Sequence, residues 1–464
     1  MKPLRRRDLL GAGAALAAIP GRNAAAAPGD AADLTLILMG DLHSGYRWSS
    51  RLLRAVRDEV SQASGEVRIV VNGDVFERNN LLAVRTDGAV DLALLRGFTS
   101  LAPTIVTIGN HDSDLFDPAI FAGRVADTGA VLLSDITDGR TGRPYGPASQ
   151  RILVRGHPVV FAAIGTPDLS LYPPAWRSAY RVPDPGAYGR DRLPALFGDA
   201  ALPVALVHAG FLADRTILPF LRPPFLLHGS HDHLRFAQRF GDPDPDAPGG
   251  LHLHSGAWSS AFQVLTVRFR EGVPVLAVRD VLLAEASPED AGLARLLATR
   301  RAAALQPRDV AAIGTLDRAM PLDEAVGWAA GRVKQAAGAD IGLLSHTTFG
   351  DGLPAGTVTA DDLRAFLRFD GKVAVGEIPR ARLPALLARC NQFDGSTPYA
   401  RRTGDYLYAT APPAGTGDTV SVAINAYAVS DATKRRDFLG WDAPGFTPRP
   451  DLMLGAIITR GLAA

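Results

Sequence analysis

Four short apolar runs in this chain end on the same kind of polar cluster, and that recurrence limits the available folds more than any bulk property. Leu34 to Met39 runs into Gly40-Asp41-Leu42-His43, Val67 to Val71 into Gly73-Asp74, Thr104 to Ile108 into Gly109-Asn110-His111-Asp112, and Val204 to Val207 into His208. A fifth cluster, His231-Asp232-His233, follows Phe225 to Leu227. Runs this short and rich in Val, Ile and Leu read as buried strands, and the first three are spaced widely enough for crossover helices. The fold class is α/β. In open α/β sheets the carboxyl ends of the strands converge on one crevice, so groups placed there meet in space although they are far apart in sequence. One Gly-Asp after a strand is an ordinary turn, but five polar clusters at the same topological position mark a site.

The donors in that crevice would be two carboxylates, one amide oxygen and four or five imidazoles. Mn²⁺, Fe²⁺ or Zn²⁺ accept such a mixture, whereas Ca²⁺ favours oxygen alone. The chain has a single cysteine, Cys390, which excludes an internal disulfide and a thiolate cluster. The ligands are too many for one tetrahedral ion. Two ions about 3.5–4 Å apart would use them all, and such a pair acidifies a water between them while clamping a phosphoryl oxygen. Two dications repel each other unless an anion bridges them, and Asp74 is the candidate bridge.

Further apolar runs at Val131 to Leu133, Val159 to Ile164, Leu251 to Leu253, Gln263 to Arg270 and Val275 to Val278 fill out a first domain, expected over residues 33–284. Ser287-Pro288-Glu289-Asp290 reads as a helix start, with Ser as N-cap and Pro at the first helical position, so residues 285–306 are expected as a linker helix. A second domain, 307–464, shows helical patterns at Leu322 to Ala337, Ala360 to Leu367 and Arg380 to Ala388, and strands at Ile341 to Leu344 and Val420 to Ile424. The Pro- and Asp-rich stretch Gly241 to Gly250 reads as a surface loop.

Residues 1–27 combine a charged head, a short apolar run from Gly11 to Pro20 and small residues at Ala24 to Ala27, the order of a bacterial export signal. Arg6-Arg7-Asp8-Leu9-Leu10 resembles the twin-arginine motif, whose machinery exports folded proteins and is here an expected partner. The whole chain has 49 basic and 48 acidic residues, and without residues 1–27 these become 44 and 47. A mildly acidic mature chain argues against a nucleic-acid partner. The expectation is a periplasmic protein with no membrane attachment after cleavage.

Asp-x-His, Gly-Asp, Gly-Asn-His-Asp, a strand-terminal His and a closing His-x-His, in that order, resemble the calcineurin-like metallophosphoesterases. Asp340 to Thr359 followed by Phe369-Asp370 is similar to the substrate domain of secreted bacterial 5′-nucleotidases. The resemblance implies a four-layer sandwich of two mixed sheets flanked by helices, a smaller C-terminal α/β domain, and hydrolysis of nucleotides or related small phosphate esters. By motif, one ion falls to Asp41, His43, Asp74 and His233, and the other to Asp74, Asn110, His208 and His231. His111 becomes the catalytic histidine and Asp114 the carboxylate that orients it. A second His-x-His, His252 and His254, ranks below His231 and His233 because Leu251 to Gly256 reads as a strand. His228 is read as a strand residue and His157, before Pro158, as part of a turn.

The chain departs from that pattern at Ser230, where the closing motif usually has Gly, and at Gly350, where the substrate domain usually has an Arg gripping phosphate. The late Gly-Gly-Asp-Gly-type loop is replaced by Ala428-Val429-Ser430-Asp431. Arg78, four residues after Asp74, is a candidate for part of the missing grip. His346 could contact substrate from the second domain, and Phe349 and Tyr427 are candidate partners for a planar base. The rival functions on the same frame are a thiosulfohydrolase-like enzyme, a non-nucleotide phosphatase, and a periplasmic metal or solute binder without turnover.

Overall fold

Along Leu34–Gly40 the side chains of Leu34, Leu36 and Leu38 point one way and those of Ile37 and Met39 the other, and both faces are buried. A strand apolar on both sides belongs inside layered sheets. The computed structural model, which describes residues 31–241, 247, 249–411 and 415–463, places it there. It is a central strand of a six-stranded sheet ordered Val273–Leu282, Ala261–Arg270, Leu34–Gly40, Glu66–Asn72, Thr104–Thr107 and Val131–Leu133. The last four strands are parallel and the first two antiparallel.

A second six-stranded sheet runs Arg235–Gly241, Gly249–Ser255, Phe225–Gly229, Leu202–His208, His157–Gly165 and Ser149–Val154, with its four middle strands parallel. Leu36, Leu38, Val70 and Ile105 of the first sheet meet Phe161, Val204, Leu226 and Leu253 of the second in a shared apolar layer. Helices Tyr46–Gln62 and Ala89–Leu101 cover the outer face of the first sheet. Helices Pro185–Asp191 and Phe211–Ile217 cover that of the second. The result is the four-layer arrangement that the resemblance implied.

The C-terminal part holds a five-stranded sheet ordered Leu407–Ala409, Ile341–Ser345, Thr419–Asn425, Lys372–Pro379 and Thr447–Met453. Helix Leu322–Ala337 packs on one face through Ala325, Val326, Ala329, Ala330 and Val333. That core continues into the first part through Phe211, Leu234 and Phe236, and residues 32–464 form one compact unit.

Two local readings are corrected. The helix after the first sheets is Ala291–Ala304, and its N-cap is Asp290, which accepts from the backbone of Gly292 and Leu293; Ser287 instead caps a turn at Ala284. His157 begins a strand and stacks on Phe269, so the turn is the preceding Arg155–Gly156 pair. The export segment at 1–27 lies outside the described residues, as do 242–246 and 248 of the expected surface loop. Among the described residues no helix is long and apolar enough to cross a membrane.

Candidate metal centre

Parallel pairing puts the carboxyl ends level: Gly40 pairs with Asn72, and Gly229 with Val207 and His254. The loops leaving those ends then turn sharply. Asp41, His43, Asp74, His231 and His233 all have left-handed backbones, with φ of 51°, 46°, 53°, 91° and 57°. Such a conformation costs a non-glycine residue about 1–3 kcal/mol and persists where surrounding contacts enforce it. Here the contacts are explicit. Asp112 accepts from the amides of Asp74, Val75 and Gly109, and Asp41 accepts from Ser230 Oγ (2.7 Å) and the His231 amide. The Ser at position 230 therefore contributes to Asp41, an expected ligand, a hydrogen bond that Gly could not. Glycine is required behind the ligands: a Cβ at Gly73 would lie 2.3 Å from His208 Nδ1, and one at Gly109 2.2 Å from Asp74 Oδ1.

The expected ligands come together in two groups. Asp41, His43 and His233 form one, and Asp74, His208 and His231 the other. Asp74 lies between them, its Oδ2 3.1 Å from His208 Nε2 and 3.6 Å from His43 Nε2. His43 Nε2 faces His233 Nε2 at 3.1 Å and Asp41 Oδ1 at 3.8 Å. These separations bracket the roughly 3.4 Å between ligand atoms set by metal–ligand bonds of about 2.0–2.2 Å.

The donor chemistry fits a cation as well. Asn110 Oδ1 and His231 Nδ1 are buried with no hydrogen-bond partner, while Asp74 Oδ2 and His208 Nε2 face only each other and further side chains of the expected ligand sets. They are one atom from each residue of the expected second set, and buried polar atoms seldom go unpaired. His208 Nδ1 donates to the Asn72 carbonyl at 2.8 Å, which leaves Nε2 as the nitrogen that could ligate. Burial holds His43 and His231 down at about 4, the neutral form that can ligate. For His208 burial acts in the same direction, but the carboxylates of Asp74 and Asp41 outweigh it and push it up to about 10.

His111 Nδ1 is 2.8 Å from Asp114 Oδ2, the dyad expected from sequence. Burial disfavours the His111 cation, yet Asp114, Asp74 and Glu77 together raise it to about 9 in these protein surroundings. The ring lines a cleft of about 680 Å³ with Asp74, Asn110, His231 and His233 on one side and residues of the C-terminal part on the other. Arg78, Arg368, Lys372 and Lys434 line that cleft together with the carboxylates of Asp74, Asp232, Asp370 and Asp405.

The suggested substrate contacts divide. Arg78 is exposed and lines the cleft, as does Tyr427, which is 45% exposed. Phe349 is corrected: it is fully buried against Phe366 and belongs to the core, while Phe369 is the phenyl ring that reaches the cleft. His346 is buried, bonded to Asp405 at 3.0 Å and stacked on Tyr406, and faces His233 across 6.1 Å between ring centroids. Gly350 packs where an added Cβ would meet the Ala365 carbonyl at 2.3 Å and Arg368 Cγ at 3.1 Å, so Arg368 occupies the space beside it.

Sequence reasoning missed Glu77, Arg368 and Trp258. Glu77 Oε2 lies 3.4 Å from His43 Nδ1 and pairs with Arg368, both groups buried. Trp258 stacks on the other face of His43, with centroids 4.6 Å apart, and carries the Arg368 guanidinium over its own ring. The only local signal was Glu77 placed just after the buried pair Val75-Phe76.

Residues 34–162 match the family model described as calcineurin-like phosphoesterase. Across nearly its whole length the chain is similar in fold to three solved structures. The 5′-nucleotidase precursor of Thermus thermophilus is 17% identical with a TM-score of 0.58, over 92% of this chain and 96% of that one. The sulfate thiohydrolase of the same organism, solved with glycerol, is 15% identical with a TM-score of 0.60, over 93% and 94%. The 5′-nucleotidase of Candida albicans is 13% identical with a TM-score of 0.59, over 93% and 98%. No curated protein matches the sequence.

Proposed function

We propose that this chain, which carries a calcineurin-like phosphoesterase domain over residues 34–162, is a periplasmic dinuclear-metal phosphohydrolase of the 5′-nucleotidase kind. Metal-dependent phosphoester hydrolysis follows from the domain. The observation that supports two ions is the convergence of buried ligand atoms from Asp74, Asn110, His208 and His231, those of Asn110 and His231 without any partner, beside a second group of Asp41, His43 and His233. Divalent ions held there would supply Lewis-acid activation of water and neutralise charge on phosphoryl oxygens.

The chain's own residues do the rest. Asp74 offers Oδ2 to both groups, while its Oδ1 accepts from the His111 amide at 2.7 Å and so fixes the catalytic loop to the bridge. Asp114 holds His111 through Nδ1, which leaves Nε2 to protonate a leaving oxygen. Arg78 and Arg368 supply anion contacts in place of the side chain that Gly350 lacks. Tyr427 and Phe369 offer rings to a base. Export rests on the order of features in residues 1–27, and the proposed domains remain 33–284, 285–306 and 307–464.

The test is phosphate release by metal-replete mature protein from nucleoside monophosphates, cyclic nucleotides and sugar phosphates, with sulfate release from a thiosulfonate-type substrate alongside. The reading expects nucleoside monophosphates to be hydrolysed fastest. Sulfate release without phosphate release would move the enzyme to the thiosulfohydrolase alternative, whose fold it shares equally well.

A further inference from the structure

Behind the loop that carries His231 and His233 lies a chain of five polar side chains, four of them buried and the fifth, Tyr399, half-buried, with no part in the chemistry above. Tyr399 Oη is 2.8 Å from His252 Nδ1, and His252 Nε2 is 2.9 Å from Asp214 Oδ2. The same carboxylate oxygen is 2.7 Å from His254 Nε2, and His254 Nδ1 is 2.9 Å from Asp232 Oδ1. Asp232 ends the chain by accepting from the Phe211 amide through Oδ2 at 2.7 Å. His252 and His254 project from one face of the strand Gly249–Ser255, two residues apart, and both are essentially inaccessible.

Several features say that this cluster is built. Phe211 stacks on His252 and Phe236 on His254, which keeps water away from both rings. Gly229 leaves the space the cluster needs, since a Cβ there would lie 2.1 Å from His254 Nε2 and 2.3 Å from Asp214 Oδ2. Its two ends matter most. Asp232 stands between His231 and His233, both in left-handed conformations, so whatever fixes Asp232 fixes the direction of two ligands. Tyr399 comes from the C-terminal part, so the chain of polar contacts joins that part to the ligand loop.

Asp214, His252 and His254 could also hold an ion themselves. Two observations favour hydrogen bonds. Nitrogen–oxygen separations of 2.7 and 2.9 Å are those of charge-assisted hydrogen bonds and shorter than the edges of a metal polyhedron. Each Nδ1 also faces a polar partner, Tyr399 Oη for His252 and Asp232 Oδ1 for His254, so His254 can bridge Asp214 and Asp232 as a cation between two carboxylates.

We propose that Asp214, His252, His254 and Tyr399 are positioning residues that hold Asp232, and through it the ligands His231 and His233, in the geometry that retains metal. The proposal rests on the dinuclear reading given above.

The experiment is loss of metal from the loaded full-length mature protein to excess EDTA, with the melting temperature of the metal-free form measured in parallel. His254→Leu should lose metal roughly 10–100-fold faster. Tyr399→Phe, which keeps the ring packing and removes one hydroxyl, should lose it several-fold faster with an unchanged metal-free melting temperature; it decides the matter if His254→Leu does not fold. Metal loss at the wild-type rate in Tyr399→Phe overturns the proposal. So does a third tightly held metal equivalent in the wild type that disappears in His254→Leu, which would make the cluster a metal site. Wild-type protein that retains no metal at all refutes the dinuclear reading itself, and that outcome is separate from either of the other two.

Discussion

Replacing His111 by Ala removes the proposed proton donor of the cleft and leaves the proposed ligand atoms of Asp74 and Asn110 in place. We expect turnover to fall by roughly 10²–10⁴-fold with metal content within error of wild type, as read by steady-state kinetics and elemental analysis. A second residue carries a pH signature remote from the ligands. Asp91 is buried beneath the first sheet and receives the Tyr46 hydroxyl at 2.5 Å; burial raises its carboxyl to about 7 despite that bond. A carboxyl whose folded value lies above its unfolded value of about 3.9 stabilises most at low pH, and that contribution is lost as pH rises through 7. Asp91→Asn should therefore match wild type near pH 4 and be the more stable protein at pH 8 in urea unfolding, with the difference growing by at most about 1.4 kcal/mol per pH unit between. At this scale the ligand side chains were legible because each lies within a few residues after an apolar run, and the family resemblance then assigned them to two ions. Glu77 and Arg368 were not, since a buried charge pair 291 residues apart in sequence leaves no local pattern.

The elements that position the site were read well where both faces are buried and poorly where one edge meets water. Leu34–Gly40, Val131–Leu133 and Leu322–Ala337 match the expected runs to within a residue. Arg235–Gly241 and Thr447–Met453 were missed: both are edge strands, polar or Pro-containing, without the apolar run that marks a central strand. The helix start moved from Ser287 to Asp290 because both can cap, and only the packing of Leu293 decides which does. The glycine turns before the ligands give the prediction that belongs here. Gly109→Ala forces a Cβ to within 2.2 Å of Asp74 Oδ1 and 2.4 Å of the Asp74 backbone nitrogen, so the loop must shift by roughly an ångström. We expect lowered metal occupancy together with a destabilisation of about 1–3 kcal/mol, measured by elemental analysis and denaturant unfolding.

Over the whole molecule, the cleft exists because the C-terminal part closes over the strand ends of the first, and Arg368 is one of the residues that join the two. Its guanidinium pairs with Glu77, lies over Trp258 at 4.5 Å, and is buried with them beside His43. Arg368→Ala leaves Glu77 charged and unpaired, which typically costs about 3–5 kcal/mol; the double variant Glu77→Gln with Arg368→Met should recover much of that stability in thermal unfolding and still bind substrate poorly. The strand runs alone gave an α/β first part and the family resemblance of the motifs implied its four layers, whereas the closure of the cleft depends on long-range charge and ring contacts that no local pattern encodes. The central claim is that two ions share Asp74. Elemental analysis of purified mature wild-type protein and of Asp74→Asn tests it directly: the account predicts about two divalent ions per chain in the wild type and loss of both metal and phosphatase activity in the variant. Two ions and full activity retained in Asp74→Asn would contradict it.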